Sequence, residues 1–475
     1  MRNVAATWGG MVAAVVLLLA GLRWLAPAPF SVVSREPDMD GAPVGGPGDT
    51  AVVNIGLHFQ PFDGKAGRSP GAWPRFRGAA YDNIAHDAPP LADVWPADGP
   101  PVLWSVELGE GHAAPAVQDG RVYLLDYDEE KRQDALRCFS LDDGREIWRR
   151  SYDVRIKRNH GRSRTVPAVS NNYCVTIGPS CHAMCVRADT GNIVWGLDMV
   201  AEYGTEVPGW YTGQCPLIDG DEVVLAPVGA QVLLIGVDCE SGDVRWMTPN
   251  NACRHMSHSS VTPAVIGGKR MYIYSAIGGM VGVSAEMADR GRILWETTEW
   301  SHSVIVPCPV VFEDGRVYVT AGYGAGGALF QVTREGDGFA VKRLWADIPK
   351  QVFASEQHTP ILSGNRLYGV LPKDAGEYRQ QFVCFDPTTR TYAWTSGQKQ
   401  QFGLGPFLLA DGKFYVLDDK GRLAMFRLLD DGACSFLAEA DLLDGHDSWG
   451  PIALAGTRMF LRDSRRMICV DVGAR

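Results

Sequence analysis

A proline that opens a short apolar run recurs at Pro115, Pro167, Pro216, Pro263, Pro309, Pro360, Pro406 and Pro451, at intervals of 45 to 52 residues. The clearest of these units, Arg164 to Trp195, holds four apolar runs separated by turn signals. One follows Pro167; the others are Tyr173–Ile177, Ala183–Val186 and Ile193–Trp195, the last entered through Asp189-Thr190-Gly191. Short runs joined by tight turns predict a four-stranded antiparallel meander. A lone meander leaves one face uncovered, and the repeats supply the neighbours that cover it. A closing aromatic marks each unit: Trp148, Trp195, Trp246, Trp295, Trp345, Trp394 and Phe436. The eighth unit reaches Arg475 without a fourth strand, whereas Val102-Leu103-Trp104-Ser105-Val106 carries a closing Trp with no strands ahead of it. The expectation is an all-β, eight-bladed β-propeller of four-stranded antiparallel blades over residues 101–475. Its last blade is to be completed by that N-terminal strand, which would leave the ring without an open end.

The hairpin between third and fourth strands is the most regular part. Cys185, Gly191 and Trp195 set a spacing that Cys138/Gly144/Trp148 and Gly236/Gly242/Trp246 share. Ala285/Gly291/Trp295 and Cys384/Arg390/Trp394 follow it, the latter with Arg in place of Gly, and Phe426/Gly432/Phe436 keeps it with aromatics. Gly suits the positive φ of a turn, and an outer-strand Trp fills the gap between twisted sheets.

This pattern, with its upstream Pro, resembles the tryptophan-docking repeat of quinoprotein-type (PQQ-like) eight-bladed propellers. The preceding Trp73-Pro74-Arg75-Phe76-Arg77-Gly78 resembles a lead-in found in bacterial members. The resemblance implies a fold, and two kinds of function. One is that of PQQ-dependent dehydrogenases, which bind Ca²⁺ through carboxylate and amide oxygens, use an Asp base, and in many members sandwich the quinone between a Trp and a disulfide of adjacent cysteines. The other is that of non-enzymatic scaffolds such as the assembly lipoprotein of the Bam machinery. This chain has no Cys-Cys pair and no Cys-x-x-Cys-His for covalent haem. Glu206, Glu356, Asp447 and Asn250 could supply oxygen ligands, but no spacing singles them out. Fold alone does not license the activity.

The N-terminus adds a location. Residues 8–22 are apolar and uncharged, behind Arg2, so residues 1–30 are expected to form a hydrophobic helix that anchors the chain in the inner membrane. A cleaved signal peptide is the rival. Either way the propeller is exported. Residues 31–72, rich in Gly, Pro, Ser and Asp, read as a flexible linker, and residues 73–100 as a lead-in that packs on the ring to cover Trp73, Phe76, Tyr81 and Trp95. A net charge of −10 argues against a nucleic-acid partner, although Arg145 to Arg164 carries eight Lys/Arg against two acids. The eleven cysteines form no disulfide framework: Cys138, Cys185, Cys384 and Cys469 occupy one small third-strand position.

Strand direction places the connections between blades, and the turns between second and third strands, at one mouth. His112, His160, His255, His258, His302, His358 and His446 fall in such connections, and His182 in such a turn. The same connections hold Arg164, Trp210, Tyr211, Glu356 and Trp449. The candidate ligand-binding mouth is therefore His112, Arg164, Trp210, Tyr211, His255, His258, His302, Glu356, His358, His446 and Trp449. Without a recognisable catalytic constellation, metal site or cofactor, the leading expectation is a non-catalytic binding module for a protein, peptide or glycan of the cell envelope. The alternative is an oxidoreductase acting on alcohols or sugars with PQQ and Ca²⁺.

Overall fold

Eight separate antiparallel sheets run around the molecule in chain order, as the proline spacing requires. The computed structural model describes residues 53–170 and 172–474. Blade 1 begins at Ala116–Gln118, and blades 2 to 8 begin at Ala168–Val169, Leu217–Asp219, Thr262–Ile266, Val310–Val311, Ile361–Ser363, Phe407–Ala410 and Ala453–Ala455. The eighth sheet has Val102–Glu107 as its outer strand, antiparallel to Arg466–Asp471, with Trp104 opposite Cys469.

The same small-against-large pairing recurs around the ring. Cys138 lies opposite Trp148, Cys185 opposite Trp195, Gly236 opposite Trp246 and Cys384 opposite Trp394, each beside a one-residue register shift. The small side chain leaves room for the indole, and the bulge turns the strand so that the ring reaches the next blade. Blade 4 departs from the expected alignment. Its hairpin is longer, so Gly282 and not Ala285 faces Trp295.

Four of the tryptophans then dock on the hairpin glycine of the following blade. A Cβ on Gly144 would lie 2.6 Å from the Trp104 ring, and one on Gly191 2.6 Å from that of Trp148; Gly242 and Gly291 meet Trp195 and Trp246 in the same way. Indole N–H groups tie the docking down, Trp104 to the Leu141 carbonyl at 3.1 Å and Trp195 to that of Cys239 at 3.1 Å. Arg390, which replaces the glycine in blade 6, keeps a left-handed φ of 62° and lays its guanidinium 5.3 Å from the Trp345 ring centroid. A cation over the indole face substitutes for the missing space. Gly191→Ala should lower stability by about 2–5 kcal/mol, from a side chain at positive φ plus overpacking, read by urea unfolding. Arg390→Gly, where the space is already open, should cost less.

Residues 53–72 depart from the expected linker. His58–Pro61 adds a fifth strand to the outer edge of blade 1, pairing with Trp148 to Ser151. Phe59 and Phe62 lie under the guanidinium groups of Arg150 and Arg149, and Arg158 and Arg162 pair with Glu110 and Glu129, so much of the basic run is already engaged. The Phe59 and Phe62 rings stay exposed, but each gains a guanidinium over its face, a contact that the Gly/Pro-rich composition obscured. Residues 31–52, and the anchor expected over residues 1–30, lie outside the described residues. Among the described residues no helix is long and apolar enough to cross a membrane.

The lead-in does more than pack on the ring: it fills the central channel from one end. Trp73 exchanges backbone hydrogen bonds with Val117 of blade 1, and Val169 of blade 2 donates to the Pro74 carbonyl. Arg75 and Tyr81 donate to the Ile218 carbonyl of blade 3. On the other side Ile84–Ala85 pairs parallel with the inner strand of blade 7. All eleven cysteines are free thiols, Cys253 exposed and the rest buried.

Candidate functional site

The mouth opposite the plug is lined by a closed circuit of side chains. His112, at the entrance to blade 1, packs against Trp449 from the entrance to blade 8, with ring centroids 5.1 Å apart. Trp449 Nε1 donates to Asp419 Oδ1 at 2.8 Å, which also accepts from the Leu404 amide at 2.8 Å. Leu404 shares a cleft of about 10 Å³ with Ser355, Glu356, Gln357, His358 and Phe407. Glu356 abuts Gly322, where a Cβ would overlap its Cγ. The next residue, Tyr323, stacks on Trp210 at 6.1 Å and 11°. Trp210 packs against His258, and its carbonyl accepts from Arg164 Nε at 2.6 Å. Arg164 Nη2 reaches the Asn159 carbonyl at 2.6 Å and the adjoining His160 carbonyl lies 3.0 Å from His112 Nε2, which returns the circuit to His112.

Electrostatics follow from enclosure. Burial first, then the Arg164 charge, lowers His258 to about 4, and burial with Arg164 and Arg462 lowers His112 to about 3. Burial lowers His358 to about 4. These imidazoles are neutral at neutral pH, so they act as hydrogen-bonding groups rather than charges. Burial also lowers Arg164 to about 10, which leaves it cationic, with Nη2 donating to the Asn159 carbonyl at 2.6 Å. On the far side, burial raises the carboxyls of Glu356 and Asp419 above the usual range.

Of the residues read from sequence, His112, Arg164, Trp210, His258, Glu356, His358 and Trp449 join this circuit. The others do not. Tyr211 is buried beside Tyr127 and Ile156, with its hydroxyl on the Lys157 carbonyl at 2.8 Å. His255 and His446 are exposed and pair with Glu206 and Asp447. His302 packs on Trp300 with ring centroids 4.4 Å apart. Tyr323 and Asp419 complete the circuit and were missed. Both sit in turns between second and third strands, which strand direction puts at this mouth, whereas all but one of the mouth histidines lie in the inter-blade connections.

PQQ and Ca²⁺ do not fit these groups as arranged. The Trp210 face is covered by Tyr323, and Asp419 Oδ1 is committed to two donors. The Glu356 cleft is far smaller than the ~300–1,000 Å³ of a cofactor pocket. Among the described residues no three His, Cys, Asp or Glu side chains gather as metal ligands do.

A ring of eight meanders, with Trp104, Trp148, Trp195, Trp246 and Trp345 docked over the next blade's hairpin, defines a quinoprotein-type β-propeller. Residues 131–396, more than half of the chain, match the family described as outer membrane protein assembly factor BamB, and the chain belongs to that family. Among solved structures it is similar to BamB from Moraxella catarrhalis (14% identity, TM-score 0.50, covering 78% of this chain and 99% of that one). It is also similar to a europium-containing methanol dehydrogenase (10%, 0.57, 83% and 89%) and to the quinohemoprotein alcohol dehydrogenase ADHIIG from Pseudomonas putida HK5 (12%, 0.56, 86% and 81%). At these identities the likeness is one of fold. No curated protein sequence matches the chain.

Proposed function

We propose that this chain is a non-catalytic scaffold of the cell envelope that binds a segment of a partner protein at the mouth, tethered to the inner membrane by residues 1–30. One observation carries the reading. The mouth is a shallow ring of mutually packed aromatic, imidazole and carboxyl groups above a plugged channel, without the volume a cofactor would fill. Such a surface offers aromatic anchors and a polar rim, the composition of a protein-binding patch. Membership of the assembly-factor family supports the same direction.

A second reading, an alcohol or sugar dehydrogenase using PQQ and Ca²⁺, is favoured only by the fold likeness to methanol and alcohol dehydrogenases. Purified protein mixed with PQQ and Ca²⁺ separates the two. The expected result is an unchanged melting temperature and no dye reduction with alcohols or sugars. A ligand held at about 100 times its Kd would add about 2.7 kcal/mol, so a raised melting temperature accompanied by dye reduction would overturn the scaffold reading.

A further inference from the structure

Of the two circuit carboxyls that burial disfavours, Asp419 has two donors and Glu356 has none among the described residues. Its side chain is 7% exposed, and no described residue donates a hydrogen bond or ion pair to its carboxylate. Burying an unpaired carboxylate costs free energy, and a position that keeps one is a candidate for use. The fold makes room for it, because Gly322 alone among residue types leaves space for its Cγ. His358 lines the same cleft, with Nε2 buried and unpartnered and the other ring nitrogen towards the Leu404 carbonyl. The cleft thus presents acceptors: a carboxylate and the free nitrogen of a neutral imidazole. Tyr323, 53% exposed and stacked on Trp210, offers an aromatic flank beside them.

We propose that the Glu356 cleft receives the ammonium group of a lysine side chain from the protein segment that docks at the mouth. This deepens the scaffold reading and rests on it. An ammonium brings three donors and no acceptor, which matches the carboxylate and the imidazole nitrogen. The butyl stem lies along the Tyr323 and Trp210 rings, as long cationic side chains do on apolar and aromatic surface. A divalent metal is the poorer match, since among the described residues no third ligand completes a site. The charged groups that bear on Glu356 are Lys373, Asp374 and Asp419, and the two acids add to the demand for a cation.

The test uses the full chain and three probes: the blocked peptide Gly-Gly-Lys-Gly-Gly, the same peptide acetylated on its lysine, and cadaverine. Binding is followed by calorimetry and tryptophan fluorescence, for the parent and for Glu356→Gln. The lysine peptide should bind the parent at least tenfold more tightly than the acetylated peptide, and Glu356→Gln should lose that preference. Glu356→Gln should also melt above the parent, because it removes a buried unpaired charge; a merely structural carboxylate would give a lower melting temperature, which would overturn the proposal. Equal binding of both peptides, or no binding of any probe, would overturn it as well. Cadaverine binding without the lysine peptide would keep the ammonium and overturn the protein source. A partner that docks regardless of lysine acetylation would remove this inference and leave the scaffold reading standing.

The pH dependence has a definite sign. A carboxyl raised in the folded state binds its proton more tightly there, so stability falls as pH rises from the unfolded value through the folded one. His112, His258 and His358, lowered in the folded state, slope oppositely in both proteins. The difference in melting temperature between Glu356→Gln and the parent should therefore widen as pH rises through that window.

Discussion

A chain lacking residues 101–108 is expected to melt far below the parent, because one short segment supports two blades at once. Val102–Glu107 covers the edge of Arg466–Asp471 in blade 8, and without it that strand presents unpaired backbone groups to solvent. Trp104, 8% exposed, also leaves blade 8 to lie on Gly144 in blade 1 and to bond the Leu141 carbonyl. Arg137 of blade 1 donates to the Glu107 carbonyl, and the Leu108 amide to that of Arg465. Loss of a buried Trp alone costs about 3–5 kcal/mol, against a total domain stability of about 5–15 kcal/mol. Trp104→Ala should reproduce that fraction of the loss, and the deletion should exceed it. Thermal and urea unfolding of the two variants provide the comparison; a deletion that unfolds with the parent would mean that the ring does not depend on this strand.

The blades were legible because their determinants are local and periodic. A proline before the inner strand, a tight turn and a closing Trp recur at a spacing that only stacked four-stranded units satisfy. The small third-strand position was legible too, and its cause is now physical: Cys138, Cys185, Cys384 and Cys469 are small because each faces an indole or, for Cys469, receives Trp104 across the seam. What escaped the sequence depends on non-local contacts. The fifth strand at His58–Pro61 has no apolar run of its own and is fixed by Arg149 and Arg150, about ninety residues away. The blade 4 register differs from the expected alignment because a longer hairpin keeps the Gly-to-Trp spacing while moving the paired residue. At the mouth, residue type identified the histidines, but only geometry separates buried His112, packed on Trp449, from exposed His255 and His446.

A chain that begins at residue 99 should retain its meanders yet lose the plug, and the damage should be specific. The amides of Val117, Val169 and Leu409 donate to the carbonyls of Trp73, Pro74 and Asn83. They lie on the inner strands of blades 1, 2 and 7, so removing the lead-in frees donors in three blades, and it also takes away the outer strand His58–Pro61 of blade 1 and the Ile84–Ala85 pairing on blade 7. Asn83 also donates its side-chain amide to the Phe407 carbonyl, and Lys413, almost fully buried, loses the Leu91 carbonyl and Asp93. Leaving such groups unpaired costs about 1–3 kcal/mol each where water does not reach them, and Trp73 takes its own burial with it. The expected result is a loss of about 5 kcal/mol or more, with hydrogen exchange accelerated first at Val117, Val169 and Leu409. Exchange at those amides equal to the parent's would show that the lead-in does not hold the channel. The mouth would feel the change through Phe407, which lines the Glu356 cleft and whose carbonyl is held from below by Asn83. Weakened binding at Glu356 in the truncated chain would therefore mark the plug as the support of the mouth, linking the segment ahead of the blades to the surface at the opposite end.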